Sequence, residues 1–267
     1  MKCVLILAII VIGATTTLAQ NANSWNGKKC AVVLTYDDGL NVHLTNVIPA
    51  LDSLGLKGTF YVSDYFGGLN AQIPGWRKAA ANGHELGNHT VYHPCAGNLP
   101  GRSFVKADYD LSKYSIRRIT DEIRTMNTML KAIDGKPKRT FAYPCGDLKI
   151  GDSFYLNGVK NEFVAARGVS GAMPSLGEVD LFNINCYGIN GQSGDELISL
   201  VKQAMDKKAL LVFLFHGVGG EHSLNVSLEA HRQLILFLSQ HRNEIWVAPM
   251  IDVAEYIIKQ KQIKKAQ

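Results

Sequence analysis

Two adjacent carboxylates, Asp37 and Asp38, follow an apolar run at residues 31–36 and precede a glycine. Neighbouring carboxylates repel each other, and each loses hydration if it is buried. A surface turn is the simplest interpretation, because Asp-Gly is a common turn dipeptide. A bound cation is the alternative: one carboxylate would bind it, and its charge would reduce the repulsion acting on the other. Residues elsewhere in the chain decide between these interpretations.

Two imidazoles complete a candidate metal site. His89 and His93 are four residues apart, and on a helical turn that spacing would place both rings on one face. Two histidines and an aspartate with open coordination positions are typical of a catalytic zinc site, or of a site for a similar divalent ion. The histidine pair alone is weak evidence. With one of the two aspartates as the third ligand, the other could act as a general base.

Alternating strand and helix patterns position these residues. Apolar, β-rich runs predict strands at 31–36, 58–63, 84–88, 139–143, 163–167, 181–185, 210–215 and 245–248. Helical spacing and capping residues predict helices at 115–135, 195–208 and 227–241. The alternation favours an α/β fold whose parallel sheet closes into a barrel. An open doubly wound sheet is the alternative, but no glycine-rich phosphate loop follows the first strand.

In such barrels the chemistry lies at the carboxyl ends of the strands. Besides the two aspartates and the histidine pair, the predicted strand ends carry Cys145, Arg167 and His216. The other histidines have different surroundings. His84 begins a strand and is interpreted as a packed residue. Four further histidines lie in loop or helical stretches, and we expect them to be surface or capping groups: His43, His222, His231 and His241.

Four segments carry a resemblance to a known family: TYDDG (35–39), HTVYH (89–93), YPCG (143–146) and LFH (214–216). Their order and approximate spacing resemble those of the polysaccharide deacetylases of the NodB-homology type, carbohydrate esterase family four. The resemblance covers roughly residues 30–255. It implies a distorted (β/α) barrel of about seven strands, related to the TIM barrel, and metal-dependent removal of acetyl groups from sugars.

Site roles follow from this resemblance residue by residue. Asp37 would be the catalytic base. The metal ligands would be Asp38, His89 and His93, with Zn²⁺ as the expected ion and Co²⁺ or a similar ion as the alternative. His216 would be the general acid that protonates the leaving group.

The same resemblance implies the substrate pocket. Leu214 and Tyr143 would line it, and the backbone N–H of Cys145 would stabilise the oxyanion. The arginine that usually occurs in the family's third motif is missing here. Arg167, at the end of the next strand, is our candidate to orient Asp37, with a surface arginine as the alternative. Asp180 is a weak candidate partner for the general acid.

The cysteines and the N-terminus point to export. Residues 1–19 combine Lys2, a short apolar run and small residues before position 20, which predicts a cleaved signal peptide and an exported protein, periplasmic or secreted. Export permits disulfides. Cys95 and Cys145 both lie in loops at the strand ends, so a disulfide between them is plausible; two free thiols are the alternative.

Composition agrees with one globular domain over residues 20–267, since 46% of residues are hydrophobic and 19% charged. The net charge of +5 is scattered, so we expect no nucleic-acid partner, and no membrane segment remains after the signal. The expected partner is an acetylated glycan, with N-acetylhexosamine favoured. An O-acetyl esterase acting on xylan-like polysaccharide and a catalytically silent carbohydrate-binding protein are the alternatives. The sequence leaves the oligomeric state open.

Overall fold

The computed structural model describes residues 24–266, so the predicted signal segment at 1–19 lies outside the described residues. Within these residues, eight strands form one parallel sheet. These strands are β1 (Cys30–Asp37), β2 (Thr59–Val62), β3 (Glu85–Asn88), β4 (Phe141–Ala142), β5 (Ala166–Arg167), β6 (Tyr187–Gly188), β7 (Leu210–Phe215) and β8 (Ile245–Val247). Their lateral order is β5-β4-β3-β2-β1-β7-β6, with β8 paired to the first half of β1.

Helices cover the outside of this sheet. They are α1 (Ile48–Ser53), α2 (Gly68–Ala71), α3 (Ile73–Ala81), α4 (Ile116–Asp134), α5 (Gly194–Lys207), α6 (Leu228–Gln240) and α7 (Met250–Lys265). A π-helical turn, His43–Val47, leads into α1. Two short ladders lie in the loops and pair Lys149–Ile150 with Ser153–Phe154 and Gly217–Val218 with Asn225–Val226. No helix among residues 24–266 is long and apolar enough to cross a bilayer.

The sheet curls until its two ends meet. The N–H of Ile184, just before β6, donates to the carbonyl of Ala166 in β5, and Gly168 donates back to the carbonyl of Ile184. This bridge links β5, at one edge of the sheet, to the segment that leads into β6, at the other edge. The predicted distorted (β/α) barrel is therefore confirmed, with eight strands instead of about seven.

The alternation of β1 explains how the core forms on both faces of the sheet. Val32 and Leu34 point to the helical layer, whereas Ala31 and Val33 point to the barrel interior. All eight residues of β1 are buried, as expected for a central parallel strand. Asp37 continues the interior face, because side chains on a strand alternate with a period of two.

The helices begin and end as their capping residues dictate. The hydroxyl of Ser115 accepts the N–H of Arg118 at the start of α4, and Gly135, with φ 71°, ends that helix. Ser193 and Glu196 form a capping box at the start of α5. The three predicted helices are confirmed to within a residue or two.

Three sequence predictions require correction. The predicted strand at 181–185 contributes only the bridge at Ile184, because a turn occupies its first half and the regular strand is Tyr187–Gly188. His43 and His231 are buried, not on the surface. Nε2 of His231 lies 2.8 Å from the hydroxyl oxygen of Tyr36, so this histidine completes a buried hydrogen bond.

Candidate active site

Asp37 and Arg167 form a buried ion pair at the carboxyl ends of β1 and β5. Asp37 is 3% exposed and Arg167 is fully buried. Nη2 of Arg167 contacts Oδ2 of Asp37, while Nη1 donates to the carbonyl of Gly168 at 2.9 Å. The guanidinium also lies 5.1 Å from the ring centre of Tyr61. The predicted contact of Arg167 with Asp37 is present, and the surface alternative is wrong.

The ion pair determines the charge of Asp37. Burial has the largest effect on this carboxyl and by itself raises its pKa. The positive charge of Arg167, helped by two nearby histidines, outweighs burial and holds the pKa below its ordinary value. Oδ1 of Asp37 is buried and has no hydrogen-bond partner among the described residues. Asp37 therefore presents an ionised oxygen that can accept a proton.

Asp38 turns away from the strand and faces the histidine pair. Its φ of 80° lies in the left-handed region, which residues other than glycine rarely adopt. Oδ1 of Asp38 lies 3.5 Å from Nε2 of His93 and 3.8 Å from Nε2 of His89. Burial, followed by repulsion from Asp37, raises the pKa of Asp38 well above its ordinary value. A cation beside Oδ1 would reverse this shift, because positive charge favours the ionised carboxylate.

The loop with His89 and His93 is not helical, so the predicted helical turn is wrong. Thr90 and His93 have φ values of 64° and 49°. The side chain of Asn88 accepts the N–H of Thr90 at 2.8 Å, and the hydroxyl of Thr90 accepts the N–H of His93 at 3.0 Å. Asn88 is itself anchored on α4, where it donates to the carbonyl of Ile123 at 2.9 Å. These bonds bring the two imidazole centres to 4.7 Å.

Asp38, His89 and His93 fit a divalent cation. Their ligand atoms all lie within 4.8 Å of one another. Nδ1 of His89 donates to the carbonyl of Ala142 at 2.8 Å, so the lone pair on Nε2 faces the carboxylates. Burial lowers the pKa of both histidines, which keeps the rings neutral, as metal ligation requires. Oδ1 of Asp38 is a buried acceptor without a hydrogen-bond partner in the described chain.

His216 follows β7 and lines a cleft together with Asp38 and His93. Burial, aided by the neighbouring His222, lowers the pKa of His216 to about 4 even though Asp37 opposes the shift. Its Nδ1 is buried and has no hydrogen-bond partner within residues 24–266. Asp180, the partner considered from the sequence, is exposed and accepts the N–H of Phe182 at 2.9 Å instead. The pairing of Asp180 with His216 is therefore wrong.

A disulfide joins the loop of His93 to the loop after β4. Cys95 and Cys145 are bonded, with 5.7 Å between their Cα atoms, so the predicted disulfide is confirmed. Because both sulfurs are in this bond, they are unavailable as thiolate ligands beside His93. Cys145 has φ 55°, and its carbonyl accepts a hydrogen bond from Arg102 at 3.2 Å. Its role as a backbone donor to an oxyanion remains a prediction.

A cleft of about 450 Å³ opens above these groups. Asp38, His93, Cys145 and His216 line its floor together with Cys95 and His222. Its walls are mostly aromatic and apolar, formed by Tyr65, Phe66, Phe104, Val105, Tyr109 and Leu224. The two side chains predicted to line the pocket, Leu214 and Tyr143, are 5% and 4% exposed and are not part of this lining.

Sequence reasoning missed two features of the cleft. His222 was interpreted as a surface or capping group, yet its ring stacks on His216 with 4.7 Å between centres and 14° between planes. Phe66 and Phe104 are 37% and 63% exposed beside the metal ligands. A glycine-rich loop after a strand was the available signal for His222. No sequence signal predicted the exposed pair Phe66 and Phe104, because both residues come from irregular loops.

Known proteins resemble this chain in sequence and in fold. The sequence model of the family described as polysaccharide deacetylase matches residues 25–156. An uncharacterised Bacillus subtilis protein, YlxY, is 28% identical over 109 residues, which are 41% of this chain and 29% of YlxY. The chain spans less than a third of the length of the curated relatives it matches.

Solved structures of this class share the fold. A Mycobacterium smegmatis structure assigned to the polysaccharide deacetylases has a TM-score of 0.58 at 16% identity, covering 88% of this chain and 92% of that one. PdaA of Bacillus subtilis, a family 4 carbohydrate esterase, has a TM-score of 0.54 at 17% identity, with coverages of 89% and 87%. The family match over residues 25–156 includes both aspartates and both histidine ligands of the site. Residues 25–156 of this chain thus resemble the polysaccharide deacetylase family in sequence, and its fold is the one that the solved structures of this class share.

Proposed function

We propose that this protein is an exported, metal-dependent hydrolase that removes acetyl groups from a glycan. One observation carries the proposal: an ionised, buried Asp37 lies beside three converging metal ligands, of which Asp38 and His93 line an open cleft. Neutral imidazoles and an unpaired carboxylate oxygen suit Zn²⁺ or a similar ion. When bound, the ion would polarise the acetyl carbonyl and lower the pKa of a water molecule.

Asp37 is the proposed general base. Its pKa is low enough for the carboxylate to be ionised at neutral pH, and its Oδ1 has no hydrogen-bond partner within the described chain. Arg167 is the proposed positioning residue, because its guanidinium binds the other oxygen of Asp37 and stabilises the charge. Asp37 takes a proton from the attacking water, and the resulting tetrahedral intermediate carries negative charge on the former carbonyl oxygen.

His216 and Cys145 act on the second half of the reaction in this proposal. The backbone N–H of Cys145 stabilises the oxyanion. His216 then donates a proton to the leaving amine or alkoxide, and acetate departs. The pKa of about 4 keeps the resting imidazole neutral, so its acid form requires the negative charge that develops in the cleft during the reaction.

An N-acetylhexosamine-containing glycan is the favoured substrate. Among the solved structures with this fold is a peptidoglycan deacetylase, PdaC of Bacillus subtilis, with a TM-score of 0.53 at 15% identity. The exposed rings of Phe66 and Phe104 offer apolar faces on which a sugar ring can pack. An O-acetyl esterase is the second candidate, because the same base, metal and acid serve both an amide and an ester.

Acetate release tests the substrate class. The zinc-loaded protein is incubated with N-acetylglucosamine oligomers and, separately, with acetylated xylan. Release from the oligomers alone supports the N-deacetylase, and release from xylan alone supports the esterase. Zinc binding without turnover on a wide panel of acetylated glycans would favour a catalytically silent binding protein. The geometry of Asp37, which a binding protein would not need, argues against that outcome.

Export is also part of the proposal. The disulfide between Cys95 and Cys145 supports it, since such bonds persist in oxidising compartments. Mass spectrometry of the protein purified from culture medium or periplasm tests the point. A mature N-terminus close to residue 20 is expected, and an intact N-terminus in the cytoplasmic fraction would contradict export.

A further inference from the structure

His222 lies beside the metal ligands but belongs to none of the four segments that carry the family resemblance. We propose that it is a positioning residue for the ligand Asp38. Its Nε2–H faces Oδ2 of Asp38 and holds the carboxylate so that Oδ1 points to the two histidine ligands. The inference rests on the proposed metal site.

The hydrogen bonding of His222 determines which ring nitrogen carries the proton. The backbone N–H of Leu224 donates to Nδ1 of His222 at 3.0 Å, so Nδ1 must offer a lone pair. A neutral ring then carries its proton on Nε2. That nitrogen lies 3.7 Å from Oδ2 of Asp38. This separation exceeds a direct hydrogen bond, and a bridging water or a small rotation of either side chain completes the contact.

The two oxygens of Asp38 therefore have different neighbours. Oδ1 lies 3.5 Å from Nε2 of His93 and 3.8 Å from Nε2 of His89. Oδ2 instead faces Nε2 of His222 at 3.7 Å. The described ligand atoms that converge within 4.8 Å do not include those of His222. His222 is thus placed behind a ligand, and its Nε2 carries a proton instead of a lone pair. Donors in this position tune metal affinity by fixing the orientation of the ligand.

The loop that carries His222 is held against the chain segment that follows Asp38. The carboxylate of Glu221 accepts the side-chain amide of Asn41 at 2.7 Å and the N–H of Val42 at 2.6 Å. Within the loop, Gly220 donates to Oδ1 of Asn225 at 2.9 Å. These contacts hold the loop of His222 against the segment after Asp38 through atoms other than the imidazole.

A purely structural role is the competing interpretation, because the His222 ring also stacks on His216. Three variants separate the two roles. His222→Phe keeps a stacking ring but has no donor. His222→Gln keeps a donor near the position of Nε2 but has no ring, and His222→Ala has neither. Ser223→Ala is the matched control, since Ser223 is exposed in the same loop.

Zinc affinity of the metal-free protein is measured by competition with a chromophoric chelator. Thermal unfolding in EDTA checks that each variant folds. We expect the dissociation constant for Zn²⁺ to rise about 10–100-fold in His222→Ala and His222→Phe. In His222→Gln and Ser223→Ala we expect it to stay within about threefold of wild type.

Two results would overturn the inference while leaving the proposed function intact. One is a wild-type zinc affinity in a folded His222→Phe variant. The other is a loss in His222→Gln as large as in His222→Ala, which would assign the effect to the ring. A wild-type protein that binds no zinc would overturn both the inference and the metal-dependent function.

Discussion

At the scale of single residues, the site depends on charges that are stable only because of their neighbours. Asp37 is buried, and burial opposes its ionisation, yet Arg167 keeps its pKa low. Removing one partner of such a buried pair leaves an uncompensated charge, which is far more damaging than removing an exposed one. Arg167 is therefore expected to affect turnover more than substrate binding.

Arg167→Ala should reduce kcat by about 10²–10⁴-fold, the range for loss of a working general base. Arg167→Lys should recover part of this loss, because it keeps the positive charge without the planar contact to Asp37. Steady-state kinetics on the substrate identified by acetate release provide the measurement. Turnover near wild type in a folded Arg167→Ala variant would show that Arg167 does not position Asp37.

Phe104 is the most exposed large apolar side chain of the cleft wall, at 63%. If sugar rings pack on it, Phe104→Ala should raise KM severalfold and leave kcat nearly unchanged, since about 0.5–1.5 kcal/mol is typical of one aromatic contact. Phe104→Tyr should behave as wild type. An unchanged KM for a long oligomer in Phe104→Ala would exclude this contact.

At the scale of elements, the long strands and the capped helices were predictable, whereas the loops and the short strand at Tyr187–Gly188 were not. The buried run of β1 and the capped helix α4 follow from apolar spacing and from Ser115 and Gly135. The loop of His89 and His93 follows from side-chain hydrogen bonds of Asn88 and Thr90, which depend on tertiary anchoring. No periodicity encodes such bonds, so the helical interpretation was wrong although the pairing of the two histidines was right.

His222 illustrates the same limit. Its partner Asp38 is distant in sequence, and the connection depends on Glu221 holding two loops together. In contrast, the arginine of the site was predictable from its place at a strand end. All strands of a parallel barrel deliver their carboxyl ends to the same rim, so residues at these positions meet whatever their sequence separation.

The disulfide is the main covalent element of the site. It closes a loop of 50 residues, and a bond of this kind stabilises a fold by about 2–4 kcal/mol. Replacing Cys95 and Cys145 by serine should lower Tm and also weaken zinc binding, because His93 lies two residues before Cys95. Reduction of the wild-type protein should have the same effect, and the double variant should not respond to the reductant. A reduced wild type with unchanged Tm and zinc affinity would contradict this role.

At the scale of the whole molecule, buried neutral histidines link stability to pH. Burial lowers the pKa of His43 and of His231 to about 4. Both values lie below about 6.5, the pKa of an unfolded histidine. The unfolded chain therefore binds protons first as the pH falls, and the stabilisation present above pH 6.5 is lost progressively toward pH 4.

Each of these histidines can account for up to about 3 kcal/mol of that loss. Thermal unfolding in EDTA between pH 7 and pH 4 should show a falling Tm. His231→Gln, which can keep a hydrogen bond to Tyr36, should show a shallower fall. Equal slopes for the variant and the wild type would show that His231 does not carry this linkage.

The central claim is that Asp37 and the metal ligands together hydrolyse acetyl groups. The most direct test is acetate release by the zinc-loaded wild type, by Asp37→Asn and by the wild type in excess chelator, all on the same glycan. The account predicts release by the loaded wild type, a loss of about 10²–10⁴-fold in Asp37→Asn with zinc affinity retained, and no release with chelator. Undiminished release by Asp37→Asn, or by the chelated protein, would contradict it.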